Sequence, residues 1–179
     1  MKTIVYMVRH AESPYTEGTE RTRGLTLEGK MNAERITEIL TNEGIHAIVS
    51  SPYARAILTL EGVAAALELD IQIMEDLRER HFSDDMIADE EFEPASKRMF
   101  DDPDYALPGG ESNTVCQNRA VGVLKQILEE YKGKKVAIGI RPRSGTKLEE
   151  DSERHANSKE AESAVVNTRR LFNSSHLSV

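Results

Sequence analysis

Thr3-Ile4-Val5-Tyr6-Met7-Val8-Arg9-His10-Ala11-Glu12 is the stretch that decides the fold. Residues 3–8 are apolar and rich in β-branched side chains, which suits a short buried strand. The run breaks into charge at Arg9, so His10 would stand just past a strand's carboxyl end. Outward from there, helix and strand patterns alternate. Met31, Ile36, Ile39 and Leu40 recur at helical spacing within 28–43, and Gly44 is a natural C-terminal stop. His46-Ala47-Ile48-Val49-Ser50 predicts a second strand. Ser51 then reads as an N-cap with Pro52 at the first helical position, ahead of a helix faced by Ile57, Leu60, Ala64 and Leu67. Ile71-Gln72-Ile73 predicts a third strand.

The character changes over 79–104, where Asp and Glu far outnumber Arg80, Lys97 and Arg98. This reads as an acidic, lid-like excursion carrying one short helix. Pro108-Gly109-Gly110 is a turn, and Ser112 can cap a helix whose apolar face is Val115, Val123, Leu124, Ile127, Leu128 and Tyr131. Gly133 ends that helix, and Lys135–Ile140 predicts a fourth strand. Strands alternating with helices imply an α/β domain: three layers, with a mostly parallel sheet covered by helices on both faces. The expected organisation is one such domain over 1–140 and an atypical polar tail over 141–179.

The bulk properties narrow the partners. The 179 residues suffice for one domain with a substantial core. A net charge of −8 repels nucleic acid and anionic membrane at long range, while a local group of arginines can still hold a small anion. Cys116 is the single cysteine, so no internal disulfide forms, and no role is assigned to it. The N-terminal apolar run is too short for a signal peptide core, and no stretch reaches transmembrane length, so the expected location is the cytoplasm.

In open α/β sheets ligands sit beyond the carboxyl ends of the strands. His10 and Arg9 stand at one such end, and Ser50-Ser51-Pro52 with Arg55 at another. A helix start, two guanidinium groups and an imidazole on one rim make a plausible phosphoryl pocket. His81, Asp84 and Asp85 could in principle hold a divalent cation, but their spacing defines no ligand set, and no metal is expected.

These segments resemble the histidine phosphatase (phosphoglycerate mutase-like) superfamily. Arg9-His10-Ala11-Glu12 looks like its Arg-His-x-Glu signature, and Leu25-Thr26-Leu27-Glu28-Gly29 like its Leu-Thr-x-x-Gly segment. Ser50-Ser51-Pro52 with Arg55 and Thr59 is similar to its Ser-Ser-Pro-x-x-Arg-x-x-x-Thr stretch. Leu77-Arg78-Glu79 resembles the segment holding its acid, and Gly109-Gly110-Glu111-Ser112 its Gly-Gly-Glu-Ser turn.

The resemblance implies a phosphoglycerate mutase-like fold and a mechanism without cofactor or metal. Neutral His10 would attack phosphorus and form a phosphohistidine, Arg9 and Arg55 would stabilise the equatorial oxygens, and Glu79 would protonate the leaving group. The nearby cations disfavour an imidazolium, which keeps the ring nucleophilic. Ser13 and Arg23, in the loop after the first strand, are further candidate substrate contacts, although Arg23 could equally sit in solvent. The implied partner is a small phosphorylated substrate or inorganic phosphate. The acidic excursion disfavours a second, highly anionic group on that substrate. A non-catalytic phosphate-binding protein and a mutase are the alternatives; family mutases are generally longer, which favours hydrolysis.

One part of the pattern breaks. The family has a second histidine, in a His-Gly pair, after its fourth strand, whereas Ile140 is followed here by Arg141-Pro142-Arg143-Ser144-Gly145. The later histidines, His155 and His176, do not closely follow a strand pattern. The remaining tail is rich in Ser, Glu, Arg and Lys, with apolar pairs only at Val165-Val166 and Leu171-Phe172. A frameshift accounts for it: Arg-Pro-Arg-Ser-Gly written CGC CCA CGG AGC GGT reads Ala-His-Gly-Ala one nucleotide later. The expected consequences are weak or absent turnover, an unprotected sheet edge, and an unstable or dimerising chain.

Overall fold

The structure is a computed structural model that describes residues 2–16, 18–85, 87–140 and, in backbone, 169–172. The elements are β1 (Thr3–Arg9), α1 (Leu27–Thr41), β2 (Ala47–Ser50), α2 (Ala54–Leu67), β3 (Ile71–Ile73), α3 (Asp89–Asp101), α4 (Asn113–Glu130), β4 (Lys135–Ile140) and β5 (Arg169–Phe172). A single 3₁₀ turn, Glu75–Leu77, follows β3. The sheet runs in the order β3-β2-β4-β1-β5. The first four strands are mutually parallel, and β5 pairs antiparallel with β1.

β-branched runs form the middle of the sheet because both of its faces are covered. All four residues of β2 are buried, as are Val5 and Val8 of β1 and Val136 to Gly139 of β4. On one face Tyr6, Val8, Ile48 and Ala137 pack with Ile36 and Leu40 of α1 and Leu60 and Val63 of α2. The two helices approach closely at Gly62, where an added Cβ would lie 2.4 Å from Thr37 Oγ1.

The described chain divides into two compact units, Met1–Arg78 with Gln126–Val179, and Glu79–Lys125. The acidic stretch 79–104 lies within the second of these units. That unit's own bonds hold it together. Asn113 Nδ2 donates to the Met99 carbonyl at 2.6 Å, and Asn113 Oδ1 accepts from Arg80. Glu111 N donates to the His81 carbonyl at 2.8 Å, and the rings of Phe82 and Phe92 stack at 5.1 Å. Arg119 grips Glu111 through two hydrogen bonds, 2.9 and 2.7 Å, in a nearly buried ion pair.

Three expectations need correction. The helix after β2 starts at Ala54 with Tyr53 as its N-cap and no side-chain cap, so Ser51 and Pro52 lie ahead of it. Val115 is 56% exposed and leaves the buried face of α4, which is carried by Val123 and Ile127. The β1 edge of the sheet is covered: Arg169–Phe172, from within the polar tail, pairs with Thr3–Tyr6. Residues 141–168 and 173–179, including His155, His176 and the Arg141–Gly145 segment, lie outside the described residues.

Candidate active site

The topology explains why distant segments share a rim. β4 lies between β1 and β2, so the ends of these two strands flank its own end. His10 N donates to the Ile140 carbonyl at 3.0 Å, and Ser51 N to the Gly139 carbonyl at 2.8 Å. The residue after β1 and the residue after β2 are thus both tied to the carboxyl end of β4, where this class of sheet binds ligands.

Side chains then fix the segment that follows β1. His10 Nδ1 lies 2.7 Å from the Ala11 carbonyl oxygen. That oxygen can only accept, so Nδ1 carries the hydrogen, and in the neutral ring Nε2 holds the lone pair. Ala11 N donates to Thr59 Oγ1 at 2.9 Å, and that hydroxyl donates to the Arg55 carbonyl at 2.7 Å. Thr59, one turn beyond Arg55 on α2, therefore locks the backbone beside His10 to the helix that carries the arginine. From the other side Thr26 caps α1. Its Oγ1 accepts from Gly29 N at 3.0 Å and donates to Glu12 Oε1 at 3.0 Å, while Thr26 N donates to the Glu12 carbonyl. Gly29 leaves room for that carbonyl, since a Cβ there would lie 2.1 Å from it.

Arg55 and Arg23 are buried, 0% and 4% exposed. Both reach one carboxylate, that of Glu20. Arg55 Nη2 donates to Glu20 Oε1 at 2.9 Å, and Arg55 Nη1 to the Glu20 carbonyl. Arg23 donates to both Glu20 oxygens, Nη2 to Oε1 at 2.9 Å and Nε to Oε2 at 3.1 Å. Arg23 Nη1 also donates to Ser13 Oγ at 2.9 Å. Each guanidinium lies over an aromatic ring, Arg23 over Tyr15 and Arg55 over Tyr53. Arg21, in the same loop, pairs with Glu75; that hydrogen bond, and secondarily the charge of Glu75, raises the Arg21 pKa.

The structure thus brings Ser13, Arg23 and Arg55 together, and ties His10 to α2 through Ala11 and Thr59. Arg9 is exposed at the end of β1 and makes no guanidinium bond among the described residues. Glu79 opens the second unit, directly after Arg78. Among the described residues no group of three or more His, Cys, Asp or Glu could hold a metal ion, and no helix is long and apolar enough to cross a membrane. Sequence reasoning did not find Glu20. Its signal was weak: an acidic residue three positions before Arg23, in a loop otherwise legible only as polar. Ser51, an N-cap by propensity, instead has a buried Oγ with no hydrogen-bond partner among the described residues.

Fold and site define a class: a three-layer α/β domain of phosphoglycerate mutase type with a histidine on its carboxyl rim. The chain belongs to the histidine phosphatase superfamily (branch 1), whose family model matches residues 5–139. It is similar to PhoE of Bacillus subtilis (strain 168), described as an uncharacterized phosphatase: 30% identical over 141 residues, covering 76% of this chain and 70% of that protein. Among solved structures it resembles Bacillus stearothermophilus YhfR at 28% identity, with a TM-score of 0.64 and coverage of 76% and 72% of the two chains. The mycobacterial glucosyl-3-phosphoglycerate phosphatase shares the fold at 20% identity, with a TM-score of 0.65 and coverage of 79% and 74%.

Proposed function

We propose that this chain hydrolyses phosphate monoesters through a phosphohistidine at His10. The observation that carries the reading is the Nδ1 bond of His10 to the Ala11 carbonyl, which leaves Nε2 as the nucleophilic nitrogen. Nε2 attacks phosphorus; the N–P bond forms as the bond to the ester oxygen breaks. Glu79 gives its proton to the departing alkoxide. Water then attacks the phosphohistidine, returns a proton to Glu79 and releases inorganic phosphate with neutral His10. Arg55, Arg23 and Arg9, with Ser13, hold the phosphoryl oxygens, as guanidinium groups suit. Membership of the superfamily and the phosphatase described for the Bacillus subtilis relative support this class of chemistry. The mycobacterial glucosyl-3-phosphoglycerate phosphatase, which shares the fold, has structures with inorganic phosphate and with VO3, and this supports a phosphate-like ligand.

A phosphate-binding protein without turnover is the second reading. It is favoured by Arg141-Pro142 standing where the family has His-Gly. Loss of one transition-state donor costs on the order of 10²–10³ in rate, so turnover here is expected to be slow. The test is hydrolysis of p-nitrophenyl phosphate, with alkaline quenching to preserve phosphohistidine. Turnover, with label trapped on the protein and both lowered on the order of 10³-fold or more by His10→Ala, is the expected result. Phosphate binding by the wild type with neither turnover nor trapped label overturns the enzymatic reading in favour of the second.

A further inference from the structure

Two buried guanidinium groups on one carboxylate are an anion site that already holds an anion. Glu20 places Oε1 2.9 Å from both Arg55 Nη2 and Arg23 Nη2, and Oε2 3.1 Å from Arg23 Nε. The arginines are fixed. They are enclosed, stacked on Tyr53 and Tyr15, and Arg23 is further held by Ser13 Oγ. Glu20 differs from them, because its side chain is 56% exposed. It belongs to a short surface turn closed by Thr22 N and Arg23 N on the Thr19 carbonyl, with Gly18 at φ 72° just before it. A carboxylate so placed can move into water without a burial cost, whereas the guanidinium groups cannot follow it.

We infer that Glu20 is a resident competitor for the phosphoryl group. This inference rests on the proposed role of Arg23 and Arg55. Glu20 supplies the counter-charge that two buried cations need. An arriving phosphate monoester replaces it, exchanging one negative charge for nearly two on the same donors. A monoanion, such as a phosphodiester or a sulfate ester, offers no such surplus and does not displace it. Glu20 therefore raises the threshold for binding and restricts the site to dianionic monoesters.

The experiment compares wild type with Glu20→Gln, which keeps the shape and removes the charge. The readouts are the inhibition constant of inorganic phosphate and the rise in Tm that phosphate produces. The expected result is phosphate binding tightened about tenfold, a larger phosphate-dependent rise in Tm, and a lower KM for p-nitrophenyl phosphate. Inhibition by the monoanion p-nitrophenyl sulfate, absent in wild type, should become measurable. A Glu20→Gln variant that is less stable yet binds phosphate no more tightly overturns the inference and leaves Glu20 a purely structural counter-ion. Should Glu20→Gln not fold, Glu20→Asp draws the charge back by one methylene; tighter phosphate binding supports the inference, and unchanged or weaker binding overturns it. The proposed grip of Arg23 and Arg55 on phosphate fails differently: phosphate then neither raises the Tm of wild type nor inhibits it, whatever residue 20 is.

Discussion

At Gly29 a methyl group would sit 2.1 Å from the Glu12 carbonyl oxygen, closer than real side-chain carbons approach backbone. Gly29→Ala must push α1 away from the segment that carries His10. We expect a loss of about 1–3 kcal/mol of stability, measured by urea denaturation, together with slower hydrolysis of p-nitrophenyl phosphate. Gly122 is the internal control. It lies mid-helix in α4 with open space around its Cα, so Gly122→Ala should stabilise by roughly 0.5–1 kcal/mol. The sequence identified Leu25-Thr26-Leu27-Glu28-Gly29 only as a family match. Its physical reasons, a cap and a close approach, depend on a backbone fourteen residues upstream of Thr26 and could not be read locally. Glu20 was hidden for a similar reason, since its bond to Arg55 spans 35 residues.

The elements were legible where hydrophobic period decided them. β1, α1, β3 and β4 fall within a residue or two of the expected ranges, the strands because short apolar runs mark them and α1 because its apolar residues recur at helical spacing. The start of α2 was not. Serine followed by proline fits a helix entry by propensity, but Ser51 N is committed to the Gly139 carbonyl, and the helix begins only at Ala54, after an extended Tyr53. β5 escaped because four residues, Arg169-Arg170-Leu171-Phe172, carry little pattern in a polar tail. Its pairing leads to a prediction at this scale. A chain ending at residue 168 exposes the backbone of Thr3–Tyr6 along the β1 edge. Light scattering over a concentration series should show the shortened chain self-associating, with the full chain remaining smaller at the same concentration. Equal masses at every concentration would show that β5 does not guard that edge.

For the molecule as a whole, strand and helix alternation gave the three layers, and the acidic stretch 79–104 lies inside the second unit. The extent of that unit to Lys125 was not legible, because α4 reads as one uninterrupted helix. Stability against pH is a property at this scale. Burial first, and the hydrogen bond and charge of Glu130 next, raise the pKa of Tyr131. A raised phenol favours the folded state while protonated. Its contribution is therefore complete below the unfolded value of about 10 and is lost as pH climbs through the folded value. Urea midpoints should fall on going from pH 8 to pH 11, and Tyr131→Phe should reduce that fall; an identical slope in the variant would remove Tyr131 from the account. The position of β4 carries a last consequence. The strand that joins the two halves of the rim is the fourth to leave the ribosome, and it must enter a gap between strands made long before it. Until residue 140 has emerged, the ends of β1 and β2 lack the strand that lies between them, so the proposed phosphate site can assemble only late in synthesis. Such a late, long-range insertion makes for slow folding, and a message broken before that codon yields a product that keeps His10 but lacks the strand beside it.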